Sequence, residues 1–354
     1  MPSYSKPHRI VTAGLALLLL PFLGCGNRAS IQPSTGPATE EAVHFASGDI
    51  TLAGTLFIPP GSQRHPAVVL FHGSGPQSRD LVTARWFAEH GIAALAYDKR
   101  GVGESTGDFR AGPFMDVCDD GLAAIQYLKS RTEIDSKHIG VWGLSQGGWL
   151  GPLAASRSTD ISYVIAVSGP GVSPGEQMLF FYAKELEAGG LPEREVDEAT
   201  DLRRDVWNYI FTRNGYDRAK IELEQARSKP WYGEVKSQQD KLFDPLAAPS
   251  DLDKPGIVRF RREMTYDPLP ALRALHVPAL FLFGDQDRLV PVDKSVSIIR
   301  QTLTQSGGRD FTIRVLHNAD HSMHLVSDDS NGIVDPEYLD TMRAWLVAHV
   351  PGSH

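Results

Sequence analysis

An apolar run, Ile139-Gly140-Val141-Trp142, stops at Gly143-Leu144-Ser145-Gln146-Gly147 and gives way to Gly148-Trp149-Leu150, which reads as the start of a helix. That is the pattern of a strand, a sharp turn carrying a serine, and a helix. Glycine on either side leaves the turn without Cβ atoms and lets the following helix pass close to neighbouring strands. Ser145 would stand at the tip of the turn with its hydroxyl aimed at a cleft. The N–H of Gln146, at the helix start, would face the place where a carbonyl oxygen becomes negative. A bare Gly-x-Ser-x-Gly arises by chance in roughly one chain of this size in five. Its weight therefore comes from the flanking strand and helix patterns, the alternative being a Gly-rich loop with an incidental serine.

The 354 residues suffice for one large core with an insertion. A net charge of −8, with Lys and Arg scattered and no zinc-type spacing, offers no basic surface and excludes nucleic-acid binding. Lys6, His8 and Arg9 precede an apolar stretch from Ile10 to Leu20, shorter than the roughly 20 residues of a membrane span. Basic, apolar and small residues in that order read as a secretory signal over residues 1–24. Residues 25–42 then read as a flexible tether, being rich in Ser, Thr, Pro, Gly and Ala without periodicity.

From Val43 the pattern is that of strands: Val43-His44-Phe45, a Ser47-Gly48-Asp49 turn, and an alternating run from Ile50 to Ile58 predict an antiparallel hairpin. Continuous apolar runs follow at 67–71, 92–97, 163–168 and 279–283, with a further strand at 311–316. Such runs suit strands buried on both faces. Between them lie helix-like segments, including Phe114, Val117, Gly121, Ile125 and Leu128 at helical spacing, with Asp116, Asp119 and Asp120 placed as the helix dipole favours. Alternating strands and helices predict an α/β fold: a mostly parallel sheet with helices on both faces, and a ligand crevice beyond the carboxyl ends of its strands. The rhythm breaks over residues 170–270, where Val196, Ala199, Leu202, Val206 and Ile210 mark helices. That region reads as a helical cap inserted into a catalytic domain made of 43–169 and 271–354. Its aromatics, Phe180, Phe181, Trp207, Tyr209, Phe211, Trp231 and Tyr232, either line a pocket for an apolar acyl group or form the insertion's own core.

A nucleophilic serine requires a base within hydrogen-bond reach and a group to orient that base. Asp287 and His321 each follow a strand, and the chain order serine, acid, histidine is that of the α/β-hydrolase arrangement. The chain from Val43 onward resembles the α/β-hydrolases of the esterase and serine-peptidase kind, and is similar to capped members of the dienelactone-hydrolase-like and prolyl-oligopeptidase-like groups. Four blocks carry the resemblance: His72-Gly73-Ser74-Gly75, Asp98-Lys99-Arg100-Gly101-Val102-Gly103-Glu104-Ser105, Gly143-Leu144-Ser145-Gln146-Gly147-Gly148, and Gly284-x-x-Asp287 with Asp320-His321. Dienelactone hydrolases use cysteine where this chain has Ser145, which points away from that chemistry.

The resemblance implies Ser145 as nucleophile, His321 as base and Asp287 as its partner. It implies the N–H groups of Gln146 and Ser74 as oxyanion donors, with Gly75 a substitute for the second. Asp285 competes with Asp287, and the family spacing of Gly-x-x-Asp followed by Val-Pro favours Asp287; His317, still at the strand end, and His324, well into the following loop, compete with His321 but read as packing or surface histidines. His72 resembles a structural histidine bracing the oxyanion loop, and Asp98, Arg100 and Ser105 are expected to bind backbone at a turn. The implied reaction is hydrolysis of a small-molecule carboxylic ester through an acyl-enzyme, with no metal or organic cofactor. The rivals are a peptidase or aminopeptidase using the same triad, and a ligand-binding lipoprotein on an idle hydrolase scaffold.

Small residues before Cys25 resemble the lipobox of bacterial lipoproteins, although Phe22 and Leu23 depart from its usual residues. A lipidated Cys25 would anchor the exported protein to the bilayer of the bacterial envelope. It would also leave Cys118 unpaired, so that no disulfide framework forms. Mass spectrometry of the processed N-terminus is expected to find a lipid-modified Cys25 there; an unmodified residue other than Cys25 rejects the anchor.

Overall fold

The apolar runs pair with one another because a strand buried on both faces has only its neighbours to satisfy its backbone. The computed structural model describes residues 36–110, 114–233, 246–308, 310–326 and 332–354; the expected signal segment and Cys25 lie outside the described residues. The described residues form one eight-stranded sheet in the order β1-β2-β4-β3-β5-β6-β7-β8. Its strands are β1 (Thr39–Ser47), β2 (Ile50–Ile58), β3 (His65–Phe71), β4 (Ala93–Tyr97), β5 (Ile134–Leu144), β6 (Tyr163–Val167), β7 (Ala279–Gly284) and β8 (Phe311–Leu316). β1 and β2 form an antiparallel hairpin, β2 joins β4 antiparallel, and the remaining pairings are parallel.

β1 begins at Thr39, inside the stretch expected to be tether. The reason is its place at the sheet edge, where hydrogen bonding to β2 does not require apolar residues. Glu40 and Glu41 stand there instead, and Glu41 is held by both terminal nitrogens of Arg131 at 2.8 and 2.7 Å. A charged edge of this kind also discourages pairing with another chain.

Alternate residues of β3 serve opposite faces. Ala67, Val69 and Phe71 enter an apolar cluster with α2 (Phe114–Lys129), α3 (Gln146–Arg157), α8 (Leu269–Arg273) and α9 (Val292–Gln305). Val68 and Leu70 enter the other, with α1 (Leu81–Glu89) and α10 (Pro336–His349). The chain steps from β3 to β4 on one side and returns to place β5 on the other. The crevice of such a sheet opens where the order reverses, beyond the carboxyl ends of β3 and β5.

Between β6 and β7 lie α4 (Pro174–Ala188), α5 (Glu193–Thr212), α6 (Tyr216–Ala226) and α7 (Pro255–Met264). They share an apolar cluster of their own, into which Val196, Ala199, Leu202, Val206 and Ile210 of α5 are buried. Trp207, Tyr209, Trp231 and Tyr232 are buried in it too, so four of the seven aromatics form the core of these helices.

The loop after β4 is tied down by charge. Asp98 accepts hydrogen bonds from the backbone N–H groups of Arg79 and Glu104, and Ser105 Oγ donates to the Asp98 carbonyl at 2.7 Å. Arg100 binds backbone, through Nη2 to the Asp116 carbonyl at 2.8 Å, and does more. Its guanidinium grips the buried Asp120 carboxylate through Nε and Nη2 at 2.7 and 2.8 Å, and also reaches Asp116. Asp120 is thus the buried partner of a largely buried cation rather than a dipole residue, while Asp119 pairs with Arg157 at the surface. Asp120→Ala would remove the buried carboxylate of the pair and leave the largely buried Arg100 with Asp116 alone, which destabilises by about 3 kcal/mol, the low end for breaking a buried pair. Asp119→Ala is expected to change stability by about 0–1 kcal/mol, and urea midpoints of the two variants distinguish them.

Candidate active site

Ser145 takes φ 57° and ψ −112° between β5 and α3, a region that disfavours any side chain. The turn closes this tightly because its neighbours lack Cβ atoms. A Cβ on Gly143 would collide with the backbone of Gly147, and one on Gly147 would lie 2.7 Å from the Phe71 carbonyl oxygen. The turn is pinned from the side by the Ser145 N–H, which donates to the Val167 carbonyl at 2.8 Å. The next residue, Ser168, is fully buried and donates its hydroxyl to the His321 carbonyl at 2.8 Å. The end of β6 therefore holds both the serine turn and the histidine loop. Ser168 was not singled out from sequence, although it ends a strand beside Ser145's own.

His321 Nδ1 lies 2.8 Å from Asp287 Oδ2. The other carboxylate oxygen accepts the N–H groups of Leu289 and Val290 at 2.7 and 3.0 Å. The Asp287 side chain has no exposed surface, and that of His321 is 14% exposed, enough for its far edge to be reached. Asp285 and His317 form a second pair at 2.7 Å, but the His317 side chain is 80% exposed. His324 is near Asp320, at 3.8 Å, and its N–H donates to the same carboxylate. The rival residues are each engaged elsewhere, in the turns that carry His321.

The loop after β3 presents few free N–H groups. Gly73 N–H donates to Gln77 Oε1 at 2.8 Å, and Pro76 has none. Among the described residues no protein acceptor meets the N–H of Ser74 or of Gln146, the latter being the first of its helix. His72 is buried with Nε2 2.5 Å from the Tyr97 carbonyl oxygen, so this nitrogen carries the proton. Lys99, which sequence reasoning left without a role, is also buried, and its ammonium donates to Gly73 O, Gly75 O and Gln146 Oε1 at 2.9, 3.1 and 2.9 Å. Burial pulls its pKa down to about 8, opposed by Glu263 and Asp120. The available signal was that Lys99 continues a fully buried strand, where an ammonium must find acceptors.

An open cleft of about 1060 Å³ lies between α4, α5 and α9, with Phe180, Phe211 and Tyr266 in its walls. Ser145, Asp287 and His321 are not among the residues lining it. Among the described residues no group of three or more His, Cys, Asp or Glu side chains could hold a metal ion.

Comparison with known proteins gives the family and the fold. The family model described as Alpha/beta hydrolase family matches residues 68–335. Esterase EstD of Thermotoga maritima is 28% identical over 322 residues, covering 86% of this chain and 68% of that protein. An esterase structure from Pyrococcus furiosus superposes with a TM-score of 0.55 at 16% identity, over 88% of this chain and 92% of the other. The acylaminoacyl peptidase of Pyrococcus horikoshii gives 0.55 at 16% identity, over 90% of this chain but 42% of its own.

Burial pulls the His72 pKa down to about 4 from its ordinary 6.5, and among the described residues no acceptor meets its Nδ1 to hold a second proton. Between those pH values the unfolded chain binds the proton and the folded one does not. Stability therefore falls as pH drops through this window, by up to about 3 kcal/mol from this group. His72→Gln, whose amide can still donate to Tyr97 O, is expected to show a flatter dependence of unfolding free energy on pH between 6.5 and 4; an unchanged slope would reject the assignment.

Proposed function

The chain belongs to the alpha/beta hydrolase family, and from that premise we propose that it is a serine esterase, cleaving carboxylic esters through an acyl-enzyme on Ser145. The observation that carries the reading is the buried Asp287–His321 pair, tied through Ser168 to the same strand end that pins the Ser145 turn. His321 Nε2 takes the serine proton as Oγ attacks the ester carbonyl, while Nδ1–H donates to Asp287, which compensates the imidazolium. The N–H groups of Gln146 and Ser74 receive the oxyanion. Collapse expels the alcohol with the proton from His321, and water, activated by the same imidazole, then releases the acid. The helices over 170–270 serve as the cap that frames the acyl group, and the protein acts outside the cytoplasm, held by its N-terminal lipid anchor. The name of the relative from Thermotoga maritima, an esterase, supports the ester over the amide.

Ser145→Ala is expected to abolish turnover of 4-nitrophenyl esters of graded acyl length and labelling by a fluorophosphonate. Asp287→Asn should lower kcat by about 10³–10⁴, the effect of a wrongly held imidazole tautomer. Asp285→Asn, whose amide oxygen can still accept the Asn318 N–H that shapes the turn, should stay near wild type. Cleavage of aminoacyl amides alone would replace the ester reading with a peptidase. Failure of the fluorophosphonate to label an inert wild type would leave a binding protein.

A further inference from the structure

The Lys99 ammonium hydrogen-bonds to both segments that carry the proposed oxyanion donors. A trans peptide is planar, with its C=O and N–H on opposite edges. Gly73 O and Ser74 N–H belong to one such unit. Gripping the Gly73 carbonyl at 2.9 Å therefore turns the Ser74 N–H outward, away from the ammonium. Gly75 O, held at 3.1 Å, fixes the next turn of the loop, and the Lys99 N–H itself donates to Gln77 O at 3.1 Å. On the other side, Gln146 Oε1 is held at 2.9 Å, which leaves that residue's backbone N–H uncommitted. A cation on a peptide carbonyl also polarises the unit and strengthens its N–H as a donor.

We infer that Lys99 is a positioning residue for the oxyanion hole: its ammonium locks the loop after β3 to the start of α3, so that the Ser74 and Gln146 N–H groups converge on one point. The inference rests on the serine-esterase reading. The lysine touches no reacting atom, so its effect falls on the transition state rather than on substrate binding. The charged and titratable groups facing it are His72 at the end of β3, Asp120 on α2 and Glu263 on α7. His72 is neutral above about pH 4, and Glu263, whose pKa burial raises, is eased by Lys99 and Arg259. The group in this set that changes charge near pH 8 is Lys99.

The test measures kcat, KM and inhibition by a trifluoromethyl ketone, whose bound hemiketal mimics the oxyanion, for wild type, Lys99→Met and Lys99→Arg. In Lys99→Met kcat is expected to fall about 10- to 100-fold, part of the effect of losing one donor. KM should stay within about threefold, as for an interaction made only in the transition state, and the ketone should bind more weakly in proportion to kcat/KM. Wild-type kcat should decline as pH rises through about 8, and Lys99→Arg, whose guanidinium does not titrate there, should lack that limb even if Lys99→Met fails to fold. Wild-type kcat in Lys99→Met, a loss lying wholly in KM, or an alkaline limb unmoved in Lys99→Arg each overturns the inference. Ser145→Ala inert beside a fully active Lys99→Met rejects this inference and spares the serine reading; turnover surviving in Ser145→Ala rejects both.

Discussion

Helix α3 can begin where it does only because it approaches two strands more closely than side chains permit. Gly147 sits against the Phe71 and His72 carbonyls, and Gly148 against the backbone of Gly169. That approach forces the chain to reverse within one residue, and the residue that absorbs the reversal is Ser145 at positive φ. A strained turn of this kind is held by what surrounds it. Here the surroundings are the Ser145 N–H on Val167, the glycine contacts on either side, and the two apolar clusters that fix β3, β5 and β6 in register. The backbone N–H of Gln146 is left unengaged as a consequence of the same geometry, since a helix start has no earlier carbonyl to bind.

The two Asp–His pairs show how solvation separates similar chemistry. Both are aspartates in the loop after β7, both meet a histidine of the loop after β8, and their Nδ1–carboxylate distances are 2.7 and 2.8 Å. Asp287 is buried with two backbone N–H donors on its second oxygen, so its orientation is fixed and its charge is balanced without water. The Asp285–His317 pair is open to solvent, where an ion pair is screened and held weakly. Asp285 instead accepts the Asn318 N–H at 2.8 Å, and so helps shape the turn that presents His321.

Much of this was legible in the residues. The sheet follows from apolar runs of strand length, the hairpin from Gly48-Asp49, and the serine, aspartate and histidine from their places just past strand ends. Local pattern failed where a contact joins distant segments. Asp120 reads as a helix-dipole residue until Arg100 is seen around it. β1 starts early because edge pairing tolerates glutamates that no hydrophobic pattern flags. Lys99 and Ser168 were passed over for the same reason: each acts on carbonyls far away in sequence, and a carbonyl leaves no mark on the identity of the residue that bears it.

The helices between β6 and β7 carry their own core. Of the two readings their aromatics allow, an acyl-binding wall or a core of the insertion's own, Trp207, Tyr209, Trp231 and Tyr232 take the second and hold these helices together. Four amphipathic helices inserted between two strands need a core of their own before they can present a surface to anything else. From this region Gln177 on α4 donates to the Leu289 carbonyl in the loop of Asp287, Glu263 on α7 acts on Lys99, and Tyr266 just beyond it packs on Phe114 at 4.5 Å between ring centres. A carboxylate close enough to a buried ammonium to oppose its loss of charge links the electrostatics of the oxyanion loop to the seating of these helices. A displacement of α7 would therefore change the field at Lys99.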